Sequence, residues 1–426
     1  MGADPPTRLQ PVNAFTFAFI LALGLNAALQ LWLSGRQVRH VQANRTKVPE
    51  AFRERIPLHS HQRAADYTVD RTRLGMVEVA WSALVLFAWT LGGGLDLLGA
   101  AWEHAALTPL WGGAALVMSV IVVSGFLELP LDIWRTFVIE QRHGYNRTRP
   151  SVFAADRMKQ LLLFLVVGLP TAWVLLWLMR STGQAWWVYA WAFWTGFGIL
   201  ALWVYPAFIA PLFNRFTPLA DESLRRRLTA LIERCGFHAS GILVMDGSRR
   251  SSHGNAYFTG LGRHKRIVFF DTLLESLTPE QIEAVLAHEL GHFKLRHIQK
   301  RLLSSTLISF GGFALLGWLA SQSWFYAGLG VSRASDAMAL ILFLLVAPVF
   351  GFYFKPVFSH YSRKHEFEAD EFASQQAAPE ALVEALLKLY RENGSALSRD
   401  PIYSRVHDSH PPGPVRIARL ASKMSG

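Results

Sequence analysis

His288-Glu289-Leu290-Gly291-His292 sets two histidines four residues apart with a carboxylate beside the first. Residues at i and i+4 share a helix face, and two neutral imidazoles on one face can hold a zinc ion. A glutamate next to a ligand is placed to take a proton from the water that such a metal acidifies. A five-residue pattern recurs by chance, and the plain alternative is a helix carrying two partly buried histidines. Gly291 weighs against that alternative. Glycine inside a helix costs about 1 kcal/mol relative to alanine, so packing or the site must require it.

A catalytic zinc needs a third protein ligand and an open position for water. The run Arg363-Lys364-His365-Glu366-Phe367-Glu368-Ala369-Asp370 supplies a candidate. Glu366 can ligate, and Asp370, one helical turn on, can hydrogen-bond a ligand histidine and fix its tautomer. Glu368 and Glu371 read as a solvated face. His297 lies five residues beyond His292, faces another part of the helix and is expected not to ligate. A structural zinc, as in a transporter-like protein, usually has four protein ligands, often cysteines. Cys235 is the only cysteine; it reads as a small buried hydrophobe, and no fourth ligand adjoins the three. The set therefore predicts a zinc hydrolase with one Zn2+ per chain.

These residues need particular elements to meet. Thr278 is a good N-cap, Pro279 suits the first turn, and Gln281 completes a capping box. Ile282, Val285, Leu286 and Leu290 follow at helical spacing, so the histidine pair sits on a helix. The surrounding stretch, 213–301, reads as a helix over 222–235, strands near 241–246, 255–259 and 266–271, and a second helix from 279. The tail, 359–426, opens and closes with helices, the last around 414–424.

Seven apolar segments, roughly 12–33, 75–98, 106–127, 158–179, 186–212, 302–322 and 336–358, are each near the ~20 residues a helix needs to cross a bilayer. The first reads as a retained anchor: its leader has only Arg8, and Leu31-Trp32-Leu33 is no cleavage site. Two crossings separate His292 from Glu366, which returns both to one side. Apolar residues make up 51% of the 426, charged residues only 17%, with 15 Trp and 29 Phe, a membrane composition. The net charge of +11 is segregated. Segments 34–74, 128–157, 213–301 and the tail are basic, whereas 99–105 has no Lys or Arg and 323–335 only Arg333. That bias places the N-terminus outside, with the site and C-terminus in the cytoplasm, and argues against a nucleic-acid partner. The chain divides into 1–212 (crossings one to five), 213–301 (cytoplasmic segment with the histidine pair), 302–358 (crossings six and seven) and 359–426 (third ligand candidate).

The chain resembles the type I CAAX prenyl endopeptidases, integral-membrane zinc metalloproteases. The likeness runs from about Asp70 onward through ordered motifs: Asp132–Asn146, Pro211–Leu219, Asp246–Phe258, the histidine pair, Glu366–Ala373 and Ser409–Pro412, with Arg416 beyond. It implies a mainly α polytopic protein, seven transmembrane helices around a water-filled chamber, with a gluzincin-like protease domain carrying a small β-sheet. His288, His292 and Glu366 would be the zinc ligands and Glu289 the general base and later proton donor. Asn255, Ala256 and Tyr257 would lie on an edge strand that binds substrate. His410 and Arg416 would face the metal and steady the oxyanion. The substrate would be a CAAX-type or other peptide, prenylated or membrane-associated. Chain length and short loops suggest a bacterial member in the inner membrane. A broad quality-control protease is the nearest alternative; such relatives have fewer crossings.

Overall fold

A computed structural model describes residues 13–237, 241–259 and 266–424; Arg8 and Gly426 lie outside them. The membrane half begins with α1 (Ala14–Ala43), α2 (Leu58–Trp89), short α3 (Gly94–His104) and α4 (Pro109–Trp134). α4 runs through a π-helical turn, Arg135–Glu140. Next come α5 (Pro150–Ser181), α6 (Trp186–Val204), a second π-helical turn (Tyr205–Ile209) and α7 (Ala210–Phe213). The soluble half carries β1 (Phe216–Pro218), α8 (Glu222–Arg234), β2 (Gly241–Met245), β3 (Ala256–Thr259), β4 (Arg266–Phe270), α9 (Asp271–Ser276) and α10 (Pro279–Lys294). The chain returns to the membrane with α11 (His297–Leu319), α12 (Ser323–Gly328) and α13 (Asp336–Gly351). A 3-10 turn joins α13 to α14 (Lys355–Gln376), and α15 (Pro379–Glu392), α16 (Pro401–His407) and α17 (Gly413–Met424) close the chain.

Seven of the described helical stretches are long and apolar enough to span a bilayer, and the protein is an integral, multi-pass membrane protein. Its outer faces show the solvent they are built for. Val166, Phe208, Leu303 and Leu307 are each at least 60% exposed, a pattern that water would not tolerate over so wide a surface. The second crossing differs from the expected 75–98. α2 starts at Leu58 and ends at Trp89, so Arg63, Arg71 and Arg73 ride on the helix. It stops in Gly92-Gly93-Gly94, where Gly93 takes φ +77°, a left-handed turn that glycine adopts freely.

Two cores follow from the two solvents. Inside the bundle, Phe19, Leu116, Leu176, Leu340 and Leu342 pack together. In the soluble half, α10 is the centre, with Ile282, Leu286 and Leu290 buried against Leu228, Leu231, Phe269 and Leu386. Cys235 is free and buried in this core.

The sheet has the order β1-β2-β4-β3, with β2 and β4 parallel and the other pairs antiparallel. β3 is therefore an edge. Between the membrane helices lies a cavity of about 1010 Å³, lined by Asn26, Gln37, Arg71, Glu78, Glu128 and Lys355 among others. Polar groups at such a depth require water or partners. Glu128 faces this chamber, while Asp132 is ion-paired with Arg135 (2.9 Å) and Arg157 (2.7 Å).

Candidate active site

α10 starts as its sequence dictates. Gln281 N–H donates to Thr278 Oγ1 at 3.4 Å, and Thr278 N–H donates to Gln281 Oε1 at 3.0 Å. The helix then lies against α14, and Gly291 is what lets it. A Cβ there would stand 3.0 Å from Ala369 Cα and 3.1 Å from Ala369 O, backbone that cannot step aside. This close approach brings Glu366 to the histidine pair.

His288 Nε2 and His292 Nε2 are 3.3 Å apart. Glu366 Oε2 is 3.5 Å from the first, and Glu366 Oε1 is 3.5 Å from the second. Donors bound about 2.0–2.2 Å from one tetrahedral ion stand about 3.3–3.6 Å from each other, so the three atoms fit one metal. Among the described residues Glu366 Oε2 is buried without a hydrogen-bond donor, an unusual state for a carboxylate unless a cation serves it.

His288 Nδ1 lies 2.9 Å from Asp370 Oδ1. Burial alone would lower the His288 pKa, but the Asp370 and Glu366 carboxylates outweigh it and hold the ring up to about 9. The pocket thus draws positive charge. His292 goes the other way, pushed down to about 3 by burial and by the charge on His288, which keeps its lone pair available.

Glu289 lines the same cavity, one of about 470 Å³ that also holds His288, His292, Glu366, His410 and Arg416. Burial pushes its carboxyl above the usual range; His288 opposes the shift and Glu366 adds to it. His410 Nε2 reaches within 3.5 Å of Glu366 Oε1, with its side chain 64% exposed to the cavity. Arg416, buried, is committed to Asp370: Nε donates to Oδ2 at 2.8 Å and Nη2 to Oδ1 at 2.5 Å. Its remaining nitrogen, Nη1, lies 3.9 Å from Glu366 Oε2.

Asn255 and Ala256 line the cavity as well. Phe270 N–H donates to Asn255 O at 3.0 Å, so Asn255 turns its backbone to β4. By strand alternation Ala256 turns its N–H to the open edge, where it donates to Asn255 Oδ1 at 2.9 Å. Tyr257 points elsewhere: its hydroxyl meets Met245 Sδ at 3.9 Å and its ring packs edge-on to Phe270.

Two expectations need correction. Glu368 and Glu371 are not simply a solvated face: Glu368 Oε2 lies 2.9 Å from His297 Nε2, and Glu371 lies 4.0 Å from Arg419. His297 does not occupy the metal pocket, yet it does not face away either. α10 ends at Lys294, Arg296 takes a left-handed φ of +58°, and α11 starts afresh. That break returns His297 to His292, with the two Nδ1 atoms 3.0 Å apart. Helical spacing cannot foresee a contact made across a helix break.

Sequence reasoning also missed Tyr390, Asn393, Arg399 and His407 around the cavity. They lie on or beside α15 and α16 and carry no motif. Asn393, Ser395, Arg399 and His407 line the intramembrane chamber too, so the two spaces adjoin.

Family models match both halves. One, described as CAAX prenyl protease N-terminal with five membrane helices, covers residues 37–215. The other, peptidase family M48, covers 218–424. A CAAX prenyl protease 1 homolog of Caenorhabditis elegans is 30% identical over 94% of this chain and 97% of its own. CAAX prenyl protease 1 of Saccharomyces cerevisiae is 35% identical over 70% of this chain and 69% of its own. The crystal structure of S. mikatae Ste24p superposes with a TM-score of 0.89 at 29% identity, covering 96% of this chain and 100% of that one.

Proposed function

The chain belongs to the CAAX prenyl protease family within peptidase family M48 and is a membrane metalloendopeptidase; from that premise we propose that its metal is a single zinc ion held by His288, His292 and Glu366. The observation that carries this is the set of three donor atoms 3.3–3.5 Å apart, in a cavity that the Glu289 carboxylate also lines. A zinc ion there supplies an acidified water and a Lewis acid for the scissile carbonyl.

The chain's own groups do the rest. Glu289 takes a proton from the attacking water and later delivers it to the leaving amine. His410, open to the cavity, donates a hydrogen bond to the oxyanion. Arg416 holds Asp370, Asp370 orients His288, and the Nη1 edge of Arg416 adds positive charge facing the site. An extended peptide adds to the free edge of β3, taking the Ala256 N–H from Asn255 Oδ1. Tyr257 contributes through the strand rather than by contact.

The substrate we assign is a C-terminal, prenylated CAAX-type peptide. The adjoining chamber of about 1010 Å³ offers room among membrane helices for an isoprenoid-bearing chain, and seven crossings favour this over a general quality-control protease. The segregated charge supports an N-terminus outside and a site on the cytoplasmic face; the short loops between crossings are the basis for placing it in a bacterial inner membrane. Cleavage of a farnesylated CAAX peptide, the same peptide without the prenyl group and an unfolded membrane segment distinguishes the readings. Preference for the farnesylated peptide by at least about tenfold in kcat/KM, roughly 1.4 kcal/mol, supports the assignment. Equal cleavage of all three assigns a quality-control role instead.

A further inference from the structure

The far side of His292 is as fully built as its metal-facing side. With Nε2 turned to His288 and Glu366, His292 Nδ1 stands 3.0 Å from His297 Nδ1. His297 Nε2 in turn stands 2.9 Å from Glu368 Oε2. His297 is 1% exposed, and His365 stacks flat on it, centroids 4.0 Å apart and planes within 9°.

One proton arrangement satisfies this chain. A nitrogen that binds a metal carries no proton, so the His292 proton is on Nδ1. Two facing nitrogens cannot both be protonated, so His297 Nδ1 is the acceptor. Its own proton is then on Nε2, donated to the Glu368 carboxylate.

We infer that His297 is a positioning residue for the reaction: it accepts the Nδ1–H of His292, fixes that ring's tautomer and plane, and is itself anchored by Glu368. The inference rests on the zinc reading above. The two ligand histidines are then held differently, His288 by the carboxylate of Asp370 and His292 through an intervening neutral imidazole. Partners of this kind tune metal affinity nearly as much as ligands do.

The rival is a second metal site, since donor atoms of His297, His365 and Glu368 lie within 4.8 Å of one another. The stacking excludes it in this geometry. An imidazole binds a metal in its own ring plane, and two stacked rings whose centroids are 4.0 Å apart and whose planes are within 9° of parallel share no ion.

The test uses the full chain in detergent. Zinc affinity is measured by competition with a fluorescent chelator and stoichiometry by elemental analysis, for wild type, His297→Phe, His297→Asn, Glu368→Ala and His365→Phe. His297→Phe should weaken zinc binding about 10–100-fold. His297→Asn, whose amide oxygen can take the Nδ1–H of His292, should recover most of that loss. Glu368→Ala should fall between, with one zinc per chain throughout. Should His297→Phe not fold, the asparagine and Glu368→Ala variants carry the test. Wild-type affinity in His297→Phe or Glu368→Ala, or a second zinc lost in His365→Phe, would overturn the inference. A wild-type chain that binds no zinc would instead overturn the reading on which it rests.

Discussion

At the scale of residues, the proposed base Glu289 should set the working pH. It acts as a base only when ionised, and burial raises its pKa above the ordinary 4.5. The ionised form is lost as pH falls through the raised value, so the acid limb of kcat/KM should lie above pH 4.5. A profile from pH 4 to 9 on a quenched fluorescent peptide checks this. An acid limb at or below the ordinary glutamate value would show that another group limits the reaction. Gly291 is the second telling residue. Gly291→Val places atoms against the Ala369 backbone, forcing α10 and α14 apart; overpacking of this kind costs about 1–3 kcal/mol. Glu366 then recedes, and chelator competition should show weaker zinc binding even where the protein still folds. Both residues stand out in the sequence itself, because a carboxylate beside a histidine pair and a glycine inside a helix are each hard to explain otherwise.

At the scale of elements, the proposed pairing of substrate with the open edge of β3 makes a specific prediction. Ala256→Pro removes an N–H that the β3–β4 ladder does not use. One backbone hydrogen bond contributes about 0.5–1.5 kcal/mol, so kcat/KM on extended peptides should drop up to about tenfold. Zinc content should be unchanged, as should the melting temperature within error. A full loss of zinc would mean that β3 supports the metal site rather than the peptide. The strands carrying Ala256 were legible from β-rich runs between turn residues. Their order was not, since pairing partners leave no local pattern. The short strand Phe216–Pro218 and the helices Pro379–Glu392 and Pro401–His407 escaped notice, and with them the wall of the cavity. The seven crossings were visible because bilayer length and apolarity are local properties. The true start of the second, seventeen residues earlier than expected, was hidden by the charged run that its first turns carry, of which Arg71 lines the polar chamber.

Across the whole molecule, the tail must be held to the membrane body for Glu366 to meet the histidine pair. One tie is Arg36 on α1 with the buried carboxylate of Asp400 at the head of α16, at 2.8 Å. Burial would raise the Asp400 pKa, but backbone donors from α16 and the Arg36 guanidinium prevail and lower it. A lowered folded pKa stabilises above the unfolded value near 3.8, and that contribution is lost as pH falls through the folded pKa. Asp400→Asn should therefore destabilise the protein by about 1 kcal/mol or more at neutral pH, and the gap from wild type should narrow below pH 3.8. Thermal melts of both proteins across pH provide the check. A constant gap would mean that the charge is not what matters.

The most direct trial of the account measures zinc content and cleavage of a quenched fluorescent farnesylated CAAX peptide for wild type and Glu289→Gln. Glutamine preserves shape but cannot accept the proton. One zinc per chain in both proteins, with kcat/KM reduced about 10²–10⁴-fold in the variant, is the predicted result. Equal cleavage by both would remove Glu289 as the base, and zinc in both with no cleavage by either would contradict the catalytic reading of the site.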